Sequence, residues 1–570
     1  MNTPHVAVRA LNEYRRISPL TYLGLRYLLR SSATRSDRWA NEISPEVCRL
    51  QGEEAYWSCR QYKQVGDNGR IEFRSVYFPG ANEALAESAL LTACAEARGP
   101  FIVPDEVFSY RLPRAGSTEG CFESYFGLFA ERHNAIGKAC RRWPNHIVLY
   151  TDIKSYYPSV TPGRAKIAWR SACDESQLDR RWRVLGEHLL EGYKSVQQGL
   201  LVGPMFSHLL GNLFLREFDR KMSDYFRGQY FRYVDDFALV IPAERMRATV
   251  SFIREQLRPL GLKLNSSKIY HLSAREWYEG APHLGTKSED RRWMQFIDQV
   301  KCYLMANPGD EAELARVFRE ENVRIALPRY QTAVRDHDYL ERFERRLASR
   351  RFKRFVTKLT TAGLAAHARN LGPQYKVESE QTLEAFGKAH GMKKKWLGSH
   401  LKSLIGRLVS LAPEEDFSEL ASRFQSTGEF AEFHATFDSL AKRDVSKLIG
   451  YSGKICAAVG QALATTKASV RCEPDRWNKE AIEGFLTLKL FGVNIRSAPP
   501  RRVTQTGPMR IVMGTYEPGK WDQIALPFFQ ELAALAGKST LEQHQSLMDS
   551  PLDPDERWVL FADELRGTSP

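Results

Sequence analysis

Two adjacent aspartates, Asp235 and Asp236, stand between apolar, β-rich runs in the segment Phe231-Arg232-Tyr233-Val234-Asp235-Asp236-Phe237-Ala238-Leu239-Val240. A central strand cannot carry both, because it would bury at least one carboxylate without a partner. The segment therefore predicts a hairpin with the acids at its tip. A solvated turn has the same pattern, so the pair acquires meaning only from what the rest of the chain brings to it. His146–Tyr150 is a second β-type run, and Asp152 follows it before a turn into Ser155-Tyr156-Tyr157-Pro158. Two such strand ends meeting at one point would gather three carboxylates, which repel and raise one another's pKa unless a divalent cation lies among them. Oxygen ligands of this kind suit Mg²⁺ or Mn²⁺, and a pair of such ions serves phosphoryl displacement. Two unrelated surface turns are the competing account.

A third segment falls between these two in the chain. Gln198-Gly199-Leu200-Leu201-Val202-Gly203-Pro204-Met205-Phe206-Ser207 is a glycine-containing loop that opens an apolar helix carrying Ser207, His208 and Asn212. Such a loop lets backbone approach a nucleotide or a base closely. A buried helix with satisfied polar side chains explains His208 and Asn212, but not the position of the loop between the two acidic segments.

Charge and composition narrow the class of partner. The 570 residues include 82 Lys+Arg against 68 Asp+Glu, a net charge of +14 that favours a polyanionic partner. With 43% hydrophobic and 26% charged residues the chain is ordinary globular protein, which excludes wholesale disorder, a collagen-like repeat and a disulfide scaffold. The nine cysteines include no C-x-x-C pair, which removes zinc-ribbon readings and fits reduced thiols in a cytoplasm. The N-terminus has no apolar run, and the most apolar stretch, Gly199–Leu215, is interrupted by Pro204, His208 and Asn212. It is too short to cross a bilayer, so a soluble cytoplasmic protein with no membrane partner is expected.

Periodicity divides the chain. Residues 1–45 read as a basic helical extension. Residues 46–290 alternate strand-like runs (Ile71–Phe78, Phe101–Pro104, Val107–Leu112, Arg232–Ile241) with helices (Ala81–Ala97, Gly203–Asp219, and Arg245–Leu260 closed by Gly261), as in an α+β domain. Residues 291–570 read as an all-α domain, with helices from Arg291 to about Ala468, over Lys479–Leu490 and over Gln523–Ala536. Breaks are expected at Gly372–Pro373, Ala412–Pro413 and Ser497–Arg502. No fixed-period repeat is present, although stacked helix pairs would be compatible. Within this half, Glu341–Phe355 is a strongly basic helix in prospect. Phe343, Leu347, Phe352 and Phe355 would be buried, while Arg345, Arg346, Arg350, Arg351, Lys353 and Arg354 would face either a phosphate backbone or plain solvent.

Asp152 in TDIKSYYPSV, Gln198-Gly199 with Pro204, and YVDD at 233–236 resemble, in order and spacing, the A, B and C palm motifs of reverse transcriptases. GLKLNSSKIYHL (261–272) is similar to the next palm motif, and His283-Leu284-Gly285 to the short primer-grip motif after it. The resemblance covers roughly residues 100–290 and implies a right-hand polymerase, with fingers and palm followed by the large helical domain. It implies that Asp152, Asp235 and Asp236 ligate two Mg²⁺ ions and that Tyr157 excludes a ribose 2′-hydroxyl. Gln198 and Gly199 would meet the incoming nucleotide and template, Lys268 would protonate the leaving pyrophosphate, and Arg111 would grip the triphosphate. Deoxynucleoside triphosphates, RNA or single-stranded DNA are the implied partners.

A palm followed by a long helical half, without an H-N-H or C-x-x-C cluster, resembles the bacterial abortive-infection and defence-associated reverse transcriptases. That resemblance implies antiphage defence, DNA synthesis with or without a template, priming on the protein's own hydroxyl, a homo-oligomer and, for some arrangements, a dedicated noncoding RNA. An intron-type reverse transcriptase and an idle palm that serves as a nucleic-acid scaffold are the alternatives.

Overall fold

The two periodicities of the sequence produce a mixed α+β part up to residue 280 and a helical part from 291, in which strand pairing is limited to isolated bridges among the described residues. The computed structural model describes residues 3–18, 21–22, 24–26, 56–66, 70–114, 120–196, 198–280, 291–325, 327, 343–425, 428–451, 453–465 and 469–496. Helix α1 (Thr3–Ile17) precedes an antiparallel hairpin of β1 (Tyr56–Val65) and β2 (Ile71–Pro79). Helix α2 (Ala81–Ala97) is buried on nearly every side, as its alanine-rich, apolar sequence requires. Then come α3 (Tyr125–Arg142), β3 (Ile147–Asp152), α4 (Pro162–Ser176), α5 (Arg180–Val196), α6 (Met205–Phe226), β4 (Tyr230–Tyr233), β5 (Asp236–Ile241), α7 (Met246–Leu257), β6 (Tyr270–Ser273) and α8 (Ala274–Gly280).

Strands β4, β5, β3 and β6 form one sheet in that order, with every neighbouring pair antiparallel. Both faces are covered. Ile147, Leu149, Phe237 and Leu239 join a core with α2, α4 and α6, while Val148, Tyr150, Ala238 and Val240 pack towards α3 and α8. Burial on two faces explains why β3 and β5 read as continuous apolar runs rather than alternating ones.

The helical part contains α9 (Arg291–Ala306), α10 (Glu311–Glu320), α11 (Arg350–Val356), α12 (Thr361–Lys388), α13 (Gly391–Leu411), α14 (Phe417–Gln425), α15 (Ala431–Lys442), α16 (Gly453–Thr465) and α17 (Lys479–Leu490). Its core draws on residues from Phe296 to Ile495, separate from the core of the first part.

Several expectations are corrected. Gly372–Pro373 does not end a helix: α12 runs through both. Gly372 is needed there because a Cβ would stand 2.9 Å from the Leu411 carbonyl oxygen of the neighbouring helix, so a close crossing, not a break, explains the glycine. Phe101–Pro104 and Val107–Leu112 are not strands. The first begins on the last residue of a 3₁₀ turn at Gly99–Phe101, and the second contributes a single bridge, Val107 to Arg232. The basic segment is not one helix, because helical residues 343–347 and α11 are separated at Ala348-Ser349, where the Ser349 N–H turns back to the Arg346 carbonyl. Strand β1 was not anticipated. The break at Ala412–Pro413 is present. His283-Leu284-Gly285, Glu341, Arg342, Ser497–Arg502 and Gln523–Ala536 lie outside the described residues.

Candidate active site

The antiparallel register places Asp152, the last residue of β3, directly opposite Asp236, the first of β5. Tyr233 pairs with Asp236 across the other side of β5, which leaves Val234 and Asp235 as the hairpin turn. Val234 has φ +55°, whereas Asp235 has no positive φ. The first turn position is one that glycine favours in such hairpins. For a β-branched residue it costs of order 1–3 kcal/mol. Side chains hold it in place: the Val234 N–H donates to Ser109 Oγ at 2.7 Å, and Arg232 Nη1 donates to the Val234 carbonyl at 2.7 Å. The Ile153 N–H donates to the Asp235 carbonyl at 3.0 Å, which ties the acidic turn to the chain just beyond Asp152.

Like charges directly opposite one another destabilise a sheet, so this arrangement calls for a cation. Lys268 Nζ supplies one now, 2.6 Å from Asp152 Oδ2. Asp152 itself is 5% exposed, and its other oxygen, Oδ1, is buried without a hydrogen-bond partner. Burial, then the charge of Asp236, with a smaller push from Asp152, raises the Asp235 carboxyl to about 6, against the downward pull of a backbone hydrogen bond and of Lys268. Burial alone would lower the Lys268 ammonium, but the Asp152 hydrogen bond and the surrounding carboxylates outweigh it and raise its pKa. Among the described residues no group of three or more His, Cys, Asp or Glu side chains is arranged as it stands to hold a metal ion. The chemistry of the donor set nonetheless fits a hard divalent cation, with an orphaned buried carboxylate oxygen and two further carboxylates from the adjoining strand and turn.

The other residues singled out from the sequence fall in different places. Tyr157 lies on the helical turn Tyr156–Ser159, one connection beyond Asp152, and is buried; its hydroxyl is 2.5 Å from His208 Nδ1 on α6. The His208 ring stacks on Tyr110 at 3.8 Å, which fixes Tyr157 from the far side. Gln198 is exposed, and Gly199 is pressed against the Tyr157–Pro158 backbone. A Cβ there would lie 2.3 Å from the Pro158 carbonyl oxygen, and the Leu200 N–H donates to the Tyr157 carbonyl. The glycine thus has a packing reason of its own. Arg111 is engaged within the chain: Nε donates to the Val107 carbonyl, Nη2 to the Asp105 carbonyl, and Nη1 pairs with Glu131 at 3.2 Å. Arg345, Arg346, Arg350, Arg351, Lys353 and Arg354 are exposed in the helical half, on a segment packed through Phe343 and Val356 against Cys302 of α9.

Sequence reasoning missed Arg232, Asp219 and Ser109, and read Asn212 only as a satisfied polar residue of a buried helix, without its partners. Arg232 and Asp219 form a bidentate ion pair, Nε–Oδ1 2.7 Å and Nη2–Oδ2 2.6 Å, with both side chains 1% exposed. The signal was in the chain: an arginine inside an otherwise apolar strand must find a buried partner.

No protein-family profile matches the sequence, and no curated protein matches it. Among solved structures it is similar to the telomerase of Candida albicans in complex with a fragment of telomeric RNA, with 11% identity and a TM-score of 0.25. The similarity covers 68% of this chain and 65% of that one, just under two thirds of the telomerase chain. At so low a TM-score the assignment falls to the site itself. No described helix is long and apolar enough to cross a membrane.

Proposed function

We propose that this chain is a nucleotidyltransferase of the reverse-transcriptase type, joining deoxynucleotides to a hydroxyl end. The observation that carries the proposal is the placement of Asp152 opposite Asp236 with Asp235 in the adjoining turn, together with the partnerless Oδ1 of Asp152. Asp152, Asp235 and Asp236 would hold two Mg²⁺ ions, or Mn²⁺ in their stead. Bound there, such ions would supply charge stabilisation to the phosphoryl group in transfer. The chain's own residues supply position and protons. Lys268, released from Asp152, would stand as a proton donor for the leaving pyrophosphate. Tyr157, braced by His208, is a rigid wall suited to excluding a 2′-hydroxyl. The Gln198–Gly199 loop, resting on the Tyr157–Pro158 turn, carries its exposed glutamine towards template and nucleotide. Arg111 would have to exchange its internal partners to meet a triphosphate, so it is the weakest member of the set.

The wider setting belongs to the same proposal. The palm and the helical half following it support membership of the defence-associated group acting against phage in a bacterial cytoplasm. RNA or single-stranded DNA would be bound partly by the basic residues at 345–354. Synthesis with or without a template, priming on a protein hydroxyl, a homo-oligomer and a dedicated noncoding RNA are parts of that reading.

One experiment tests the core of it. The purified full chain is incubated with Mg²⁺ and labelled deoxynucleotides, with and without primer and template. Incorporation that disappears in Asp235→Ala is expected, and label that stays with denatured protein would identify protein priming. No incorporation under any condition sinks the polymerase assignment.

A further inference from the structure

Both polar groups of the Val234 peptide are taken by side chains rather than by the sheet. Those side chains belong to one closed circuit. Arg232 holds the Val234 carbonyl with Nη1, and its remaining donors go to Asp219 and, at 3.1 Å through Nη2, to Asn212 Oδ1. Asn212 Nδ2 in turn donates to the carbonyls of Ser109, at 3.0 Å, and Tyr110, at 3.2 Å. Ser109 Oγ closes the ring by accepting the Val234 N–H. Tyr230 adds a hydrogen bond to Asp219 Oδ1 at 2.7 Å, so both carboxylate oxygens are satisfied. Arg232 on strand β4, Asp219 and Asn212 on helix α6, and Ser109 on a loop are all buried.

Burying an ion pair is rarely a source of net stability, since an apolar pair of the same volume does as well or better. A buried pair that instead spends a guanidinium donor on one strained turn carbonyl has a positional use. We propose that Arg232, Asp219 and Ser109 are positioning residues that hold the Val234 peptide in its left-handed conformation and so set where Asp235 stands relative to Asp152. The proposal rests on the polymerase reading, because it assigns these residues to the placement of a divalent-cation site. None of the three would touch the ion or the substrate; they act through the backbone of the turn. With the circuit intact, the turn carbonyl of Asp235 stays fixed to the Ile153 N–H, and the carboxylates keep one spacing whether or not a cation is present.

The test uses the full chain, Mn²⁺ as probe and two independent readouts: Mn²⁺ affinity by electron paramagnetic resonance titration, and hydrogen exchange across residues 230–237 by mass spectrometry. Ser109→Ala removes one oxygen and no packing. The variant Asp219→Leu/Arg232→Met, made together with Tyr230→Phe so that the hydroxyl bonded to Asp219 is not stranded, replaces the ion pair with apolar side chains of similar volume and tests the circuit even if the single variant unfolds. The proposal expects melting within a few degrees of wild type, at least tenfold faster exchange in the 230–237 peptide, and at least tenfold weaker Mn²⁺ binding in both. It also expects the lost activity to return partly at higher Mn²⁺. Unchanged exchange, or faster exchange with unchanged Mn²⁺ affinity, overturns it. A wild-type protein whose Mn²⁺ binding is absent or insensitive to Asp152→Asn overturns the polymerase reading itself, an outcome distinct from wild-type binding that the circuit variants leave intact.

Discussion

Glu87 is buried on α2 and accepts hydrogen bonds from the hydroxyls of Tyr56 at 2.7 Å and Tyr193 at 3.0 Å and from the Phe206 N–H at 3.1 Å, in the first turn of α6. The helix that carries His208 and Asn212 therefore starts on a carboxylate, where its dipole favours negative charge. Burial still dominates and lifts the carboxyl to about 7. A folded pKa raised above the unfolded one means that the native state holds the proton longer. The stabilising contribution is complete below about pH 4.5 and is lost as pH rises through 7. Glu87→Gln should therefore match wild type at pH 4 and exceed it above pH 8 by up to about 3 kcal/mol, at 1.36 kcal/mol per pKa unit, in urea titrations across that range. A difference independent of pH would contradict the assignment. Gly199→Ala should cost about 1–3 kcal/mol, since its Cβ meets the rigid Pro158 backbone rather than a flexible side chain. The same titrations measure it. Of the residues at the site, the three aspartates were legible only together, because two strand ends carry them with the glycine loop between, while each alone reads equally well as a solvated turn. Arg232 was not singled out, because its partner Asp219 lies on another element and only tertiary contact pairs them.

Elements were read well where one periodicity ruled and badly where packing overrode it. Ala81–Ala97 and Lys479–Leu490 are helices with the expected ends. Strand β1 escaped notice because its outer half, Arg60–Val65, is polar and exposed or half-exposed, so no apolar alternation marks it. In α12, Pro373 lies in the helix interior and removes a backbone donor. Replacing it by alanine should restore that bond and raise stability by about 1–3 kcal/mol, seen as a higher denaturant midpoint with an unchanged slope. The split basic segment leads to a different test. If Arg350, Arg351, Lys353 and Arg354 meet phosphates, replacing all four by alanine should lower the slope of log affinity against log salt for single-stranded nucleic acid by about 3, at roughly 0.7 per phosphate contact. An unchanged slope would make the segment a solvated face.

At the scale of the whole molecule, the helical part touches the first part on both flanks. On one, Tyr62 of the β1–β2 hairpin donates to Glu432 at 2.8 Å, Lys402 pairs with the same carboxylate at 2.9 Å, and Arg60 pairs with Glu480. On the other, Trp396 of α13 meets Trp277 of α8 edge to face at 5.5 Å, and Met392 enters the core beneath β6. The hairpin and the sheet edge are thus both anchored to one helical body. Glu432→Ala removes the buried carboxylate on which the half-buried Tyr62 and Lys402 converge and should cost about 1 kcal/mol in a calorimetric or urea transition.

The sequence by itself determined which segments are apolar on two faces, where the acidic turn falls, that a buried carboxylate would need a cation, and that the described residues beyond 291 are largely helical. These follow from local period and from the cost of burying charge. Only the tertiary structure decided that Asp152 faces Asp236 in register, that Lys268 now lies on Asp152, and that a buried arginine holds a valine where glycine would be at ease. Register, partner choice and strain depend on contacts between residues far apart in the chain, and no local pattern encodes them.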